Sequence, residues 1–161
     1  MKKDLFIINH AAFGREEFEI ANAQYNLYQD GNIWEFVVSI ETSSGIVRAE
    51  KLADVIDAKP NFEATAILQH DDLEIVKGKI IRQEVGYDND RDEILSNVYY
   101  FQHESVDDLL IEIIEVNNLH IIANVTGKGI INGSNGNHPD ADFEMREVAF
   151  LYDAKLKRGV M

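Results

Sequence analysis

Apolar and polar positions alternate with period two along much of the chain, the pattern of strands with one face buried and the other in water. It is clearest over Ile33–Thr42, where Trp34, Phe36, Val38 and Ile40 share one side and Glu35, Ser39 and Glu41 the other. Val37 alone breaks the rule. Glu17–Tyr28 reads as the preceding strand, and Asp30-Gly31 between the two is a tight-turn signal. The apolar parity shifts within Glu17–Tyr28, from Phe18 and Ile20 to Tyr25 and Leu27, so a β-bulge near Ala21–Ala23 is expected to restore the register.

The same reading predicts strands over Phe62–Gln69, Leu73–Val76, Lys79–Val85, Ile94–Gln102, Leu109–Val116, Leu119–Thr126 and Phe143–Tyr152, with reversals at Lys77-Gly78 and Asn117-Asn118. Two segments carry helical spacing. Ile46–Ala58 places Ala49, Leu52, Val55 and Ile56 on one stripe and stops at Lys59-Pro60, which predicts a short helix over 46–58. Ser105-Val106-Asp107-Asp108 resembles a capping box, but Leu109, Ile111 and Ile113 alternate. A strand from Leu109 is the better reading. The expected fold is mainly β: an antiparallel β-sandwich or open barrel of about eight to nine strands with one short helix. No Pro-rich or Ser-rich linker interrupts residues 1–161, so one domain is expected.

Charge changes this picture most. The chain carries 15 basic and 29 acidic residues, a net −14. Residues 61–120 hold 4 basic against 14 acidic, whereas residues 121–161 hold 5 of each. Nucleic-acid binding depends on neutralising phosphates with Lys and Arg, and anionic membrane surfaces attract the same residues. Neither partner is expected; a basic protein is. There is no cysteine, which removes thiol catalysis, thiolate metal sites and disulfides together. The apolar run Leu5–Ile8 is too short for a secretory signal, so a cytoplasmic location is expected.

Candidate chemistry is sparse. Asp88-Asn89-Asp90-Arg91-Asp92-Glu93 begins like a calcium loop, but position six is Glu93 where Gly is needed and position twelve is Tyr99 where a bidentate Glu is needed. Together with Glu104, Asp107 and Asp108, and with Asp71, Asp72 and Glu84, its carboxylates are candidates for an acidic docking face. The Gly- and Asn-rich stretch 127–142 ends in His138-Pro139-Asp140-Ala141-Asp142, where an imidazole and two carboxylates at alternate positions are weak candidates for metal ligands. Gly127-Lys128-Gly129 lacks the spacing of a phosphate-binding loop, and no G-x-S-x-G elbow is present. No cofactor is implied and no catalytic residue is assigned.

The expectation is therefore a non-enzymatic protein-binding domain, of the inhibitor or immunity type, docking a basic partner through Asp88, Asp90, Asp92, Glu93, Glu104, Asp107 and Asp108. A small-ligand or carbohydrate module using the aromatics and the 127–142 stretch is one alternative. A metal-dependent enzyme built on His138, Asp140 and Asp142 is another. The alternation makes a prediction about stability: Phe36→Ala should destabilise the fold by about 3–5 kcal/mol in denaturant unfolding. A loss below about 1 kcal/mol would place Phe36 outside the core.

Overall fold

The computed structural model describes residues 4–11, 13–45, 59–100, 102–131 and 140–158. Among them are twelve strands and no helix; the helix expected over 46–58 lies outside the described residues. In chain order the strands are β1 (Leu5–His10), β2 (Gly14–Asp30), β3 (Ile33–Thr42), β4 (Asn61–Leu68), β5 (Ile80–Gln83), β6 (Tyr87–Asp88), β7 (Glu93–Ile94), β8 (Ser96–Tyr100), β9 (Gln102–Ser105), β10 (Asp107–Val116), β11 (His120–Ile130) and β12 (Asp140–Tyr152). Ten of them make one sheet in the order β5-β10-β11-β12-β1-β2-β3-β4-β8-β9, and β6 with β7 makes a separate two-stranded ribbon.

The mainly β expectation holds, in its barrel form. The two ends of the large sheet belong to one bent strand, since β9 at one end runs into β10 at the other through Val106. At that corner Val106 N–H donates to the Ser96 carbonyl (2.9 Å), and the alternation of Leu109, Ile111 and Ile113 extends β10 back to Asp107 with no helical turn. Asp108 adopts φ 48° beside a register shift, a left-handed conformation that Asp tolerates. The short edge strand β5 pairs with β10 on one side. On the other, Gln83 donates from Nε2 to the Thr65 carbonyl of β4 (2.8 Å) and meets the Ser96 hydroxyl.

One core fills the rolled sheet, with buried residues from β1, β2, β3, β4, β5, β8, β10, β11 and β12. Phe6, Phe62 and Phe143 come from three different strands and interlock: Phe6 meets Phe143 edge-on at 5.5 Å, and Phe62 lies 5.0 Å from Phe143. Phe36, Val38 and Ile40 are fully buried, as their alternation requires. The bulge in β2 falls between Ile20 and Asn22 and moves Ala23 into the core, with Tyr25 and Leu27 packed against it.

Val37 breaks the pattern because β3 is covered on both faces. Asp153–Arg158, the stretch after β12, lies along the outward side of β2: Asp153 N–H donates to the Tyr25 carbonyl (2.9 Å), and Asn26 Nδ2 donates to the Leu156 carbonyl (2.9 Å). Asn26 and its register partner Val37 are both buried there. Leu73–Val76 forms no strand. It belongs to the β4–β5 connection, which reverses at Gly78 (φ 88°). β1, flanked by β12 and β2, was hidden in an apolar run too short to show alternation.

Three glycines lie where the chain crosses itself at the corner. A Cβ on Gly86 would collide with the Val106 carbonyl oxygen; on Gly127 it would fall 2.7 Å from the Phe143 ring and from Val106 Cγ1; on Gly129, 2.8 Å from the Ser105 carbonyl oxygen. Gly127 and Gly129 therefore give clearance to the bent strand. Gly86→Ala meets rigid backbone and is expected to destabilise the fold by about 3 kcal/mol, the upper end for overpacking. Gly31→Ala has open space around it but a φ of 62°, so its loss should be about 1 kcal/mol. Denaturant unfolding of the two variants checks the order.

Candidate functional site

The acidic ribbon grows out of the end of β5. Gly86 roots it: the Gly86 N–H donates to Asp107 Oδ1 (3.1 Å), and its carbonyl accepts from Leu95 N–H (2.7 Å) and Ser96 N–H (3.1 Å). From that root Tyr87–Asp88 pairs with Glu93–Ile94, and residues 89–94 are exposed. The loop is shaped by its own carboxylates. Asp88 Oδ1 accepts from the N–H groups of Asp90 (3.0 Å) and Arg91 (3.3 Å), an Asx-type turn, and Arg91 Nε lies 3.6 Å from Asp88 Oδ2. Asp92, at φ 53°, accepts from the Tyr87 hydroxyl, and Glu93 pairs with Arg158.

The remaining acidic candidates sit at the corner. Glu104 lies in β9 opposite Val98, Asp107 binds the ribbon's root, and Asp108 pairs with Lys128 at 3.2 Å. Gly86 thus joins the ribbon to the corner, and the sequence gives no sign of that link. Asp72, from the same acidic third of the chain, is held 2.6 Å from the amine of Lys79.

The metal candidates are not assembled among the described residues. His138 lies outside them, and Asp140 is the first residue of β12, opposite Ile130. Asp142 Oδ1 accepts from Asn9 Nδ2 at 2.9 Å. No group of three or more His, Cys, Asp or Glu among the described residues is placed to hold a metal ion. Of the aromatics open to the ligand-module alternative, Phe36 and Tyr100 are fully buried.

Two features escaped the sequence reading. At the barrel end formed by β1, β2, β11 and β12, a cleft of about 730 Å³ is bordered by Asn9, His10, Arg15, Asp108, Lys128 and Asp142. His10 is buried beneath it, with Nε2 2.6 Å from the Ile131 carbonyl and its ring stacked on Phe13 at 4.4 Å. Of the charged groups bordering the cleft, Arg15 pairs with Glu17 (3.0 Å) and Lys128 with Asp108, while Asp142 accepts from the neutral amide of Asn9. The second feature is Glu35. Its side chain is only 2% exposed on the outward face of β3, and Arg158 Nε lies 3.2 Å from its Oε2. A carboxylate this buried needs its cation: removing one partner of such a pair costs about 3–5 kcal/mol. Alternation marked Glu35 as outward and therefore as solvated; the covering stretch after β12 reverses that.

Two tyrosines beside that stretch resist ionisation. Burial raises the pKa of Tyr25, and the neighbouring Tyr152 adds to the effect. Burial also raises Tyr28; the Arg158 N–H donated to its hydroxyl opposes this, Glu35 adds to it, and the Arg158 charge opposes it. A raised folded pKa means the native state holds the proton longer than the unfolded chain. The associated stability is therefore complete below about pH 10 and is lost as pH rises through the folded pKa. In an alkaline absorbance titration, Tyr25→Phe and Tyr28→Phe should each remove a late-ionising step. Early ionisation of either residue would contradict the assignment.

No helix among the described residues is long and apolar enough to cross a membrane. Comparison of the chain with protein-family models, with curated proteins and with solved structures finds no match, so its residues and geometry alone carry the functional reading.

Proposed function

We propose that this chain is a cytoplasmic protein-binding domain, not an enzyme, that docks a basic partner in the manner of an inhibitor or immunity protein. The docking surface is the ribbon carrying Asp88, Asp90, Asp92 and Glu93, continued at the corner by Glu104, Asp107 and Asp108. The observation that carries this reading is the exposed acidic ribbon standing outside the ten-stranded sheet, in a chain of net charge −14. Such a field speeds encounter with a cationic surface and weakens as salt screens it. Lasting affinity would come from apolar contacts, for which Ile94 (40% exposed) and Val85 (56%) flank the ribbon.

The barrel-end cleft favours a second reading, a polar small-molecule site, because about 730 Å³ lies within the usual size of ligand pockets. The barrel interior itself is filled by aromatic and aliphatic side chains.

The triple variant Asp88→Asn, Asp90→Asn, Asp92→Asn separates the readings. Asn keeps the oxygen that Asp88 uses in its turn and tolerates the positive φ of Asp92, so the ribbon keeps its shape while losing charge. From a lysate of the source cell at low salt, the wild type should retain one basic protein that high salt releases, and the triple variant should not retain it. A partner held equally by both forms, or unaffected by salt, would sink the docking reading.

A further inference from the structure

We propose that Glu35 and Glu93 form a guanidinium-binding site, filled from within the chain by Arg158, and that this occupancy holds the acidic ribbon against the barrel. The two carboxylates come from separate sheets, Glu35 from β3 of the barrel and Glu93 from β7 of the ribbon. They meet on one side chain: Nε of Arg158 lies 3.2 Å from Glu35 Oε2, an ion-pair contact without hydrogen-bond alignment, and Nη1 donates to Glu93. A planar fork with several fixed donors serves two carboxylates in this way, whereas an ammonium is a point charge on a flexible stem. The Tyr28 hydroxyl fixes the backbone beside the site: it accepts the main-chain N–H of Arg158 at 2.9 Å and lies 3.4 Å from Glu35 Oε1.

The site is built, not incidental. Glu35 is 2% exposed, and the stretch that delivers Arg158 is fixed by the bonds of Asp153 to Tyr25 and of Asn26 to Ala154 and Leu156. A hollow of about 220 Å³ adjoins it, lined by Gln29, Asp30 and Lys157 as well as by Tyr28, Glu35 and Arg158. Gly86 ties the ribbon at its root, and Arg158 ties it at Glu93. The stretch after β12 is therefore a strap whose Arg158 guanidinium joins ribbon to barrel, whether or not the ribbon docks a partner.

Chemical rescue tests this. Hydrogen–deuterium exchange of residues 87–94 is compared in wild type, Arg158→Ala and the double variant Glu35→Gln, Arg158→Ala, which removes the stranded carboxylate in case the single variant unfolds. Ribbon exchange should quicken several-fold in Arg158→Ala. Low-millimolar N-ethylguanidinium should return it toward the wild-type rate, and N-ethylammonium at the same concentration should not. In the double variant exchange should stay fast, with the rescue weakened. Wild-type exchange in the folded variants, no rescue by N-ethylguanidinium, or equal rescue by both cations would overturn the proposal. The readout needs no partner, so the docking reading can fail while this one stands.

Discussion

Around Val106 the chain packs so closely that a Cβ at Gly86 would strike the Val106 carbonyl oxygen and one at Gly127 the Val106 and Phe143 side chains, and Gly129 gives similar clearance to the Ser105 carbonyl. The barrel depends on this crossing. A sheet that rolls without a shared strand leaves two unpaired edges, each exposing backbone donors and acceptors. Here β9 and β10 are two halves of one strand, so the corner carries the chain from one edge to the other. The bulge at Asp108 lets the strand turn after the corner, and the Ser96 carbonyl receives the Val106 N–H that the turn would leave unpaired. The ribbon is rooted at this same point, through the Gly86 bond to Asp107. Fold closure and the candidate docking surface therefore share one small region.

The negative charge of the chain is less bare than its sum suggests. Asp72, Asp88, Asp108, Glu17, Glu115 and Glu144 each lie within ion-pair distance of a Lys or Arg. Exposed pairs of this kind contribute roughly 0–1 kcal/mol each and shape the local field more than the stability. Glu35 with Arg158 is of a different kind. Its carboxylate is removed from water, so the pair fixes where the stretch after β12 must lie.

The fold was legible wherever a strand has one wet face. Alternation identified β3 and its core side chains, and the parity change in β2 located a bulge that pairing with β3 places between Ile20 and Asn22. It failed where burial comes from distant chain. Val37 and Glu35 sit on a face covered by residues more than a hundred positions later, so local pattern carries no information about their burial. Leu73–Val76 has strand-like composition but no neighbour to pair with, and β9 is too short to announce itself. Of the candidate site, the acidic residues themselves were legible as composition. Their tie to the corner through Gly86 and to the barrel through Arg158 depends on contacts between elements far apart in sequence.

The place of β1 bears on how such a chain comes to be assembled. β1 runs antiparallel to both β2 and β12, and past its first residue those two long strands meet directly, in parallel, at Gln24–Leu151 and Tyr25–Tyr152. Strand β1 is thus a wedge between an early neighbour and a very late one, with Ile7 opposite both Glu17 and Glu144. Loop closure over most of the chain must precede that second pairing, which makes barrel formation a non-local and intrinsically slow event. On a ribosome, the β1–β2–β3–β4 meander can form early, but the open edge of β1 waits until β12 has emerged. During that interval β1 is an unpaired edge carrying Phe6 and Ile8, the element of this protein most in need of shelter while the rest is being made.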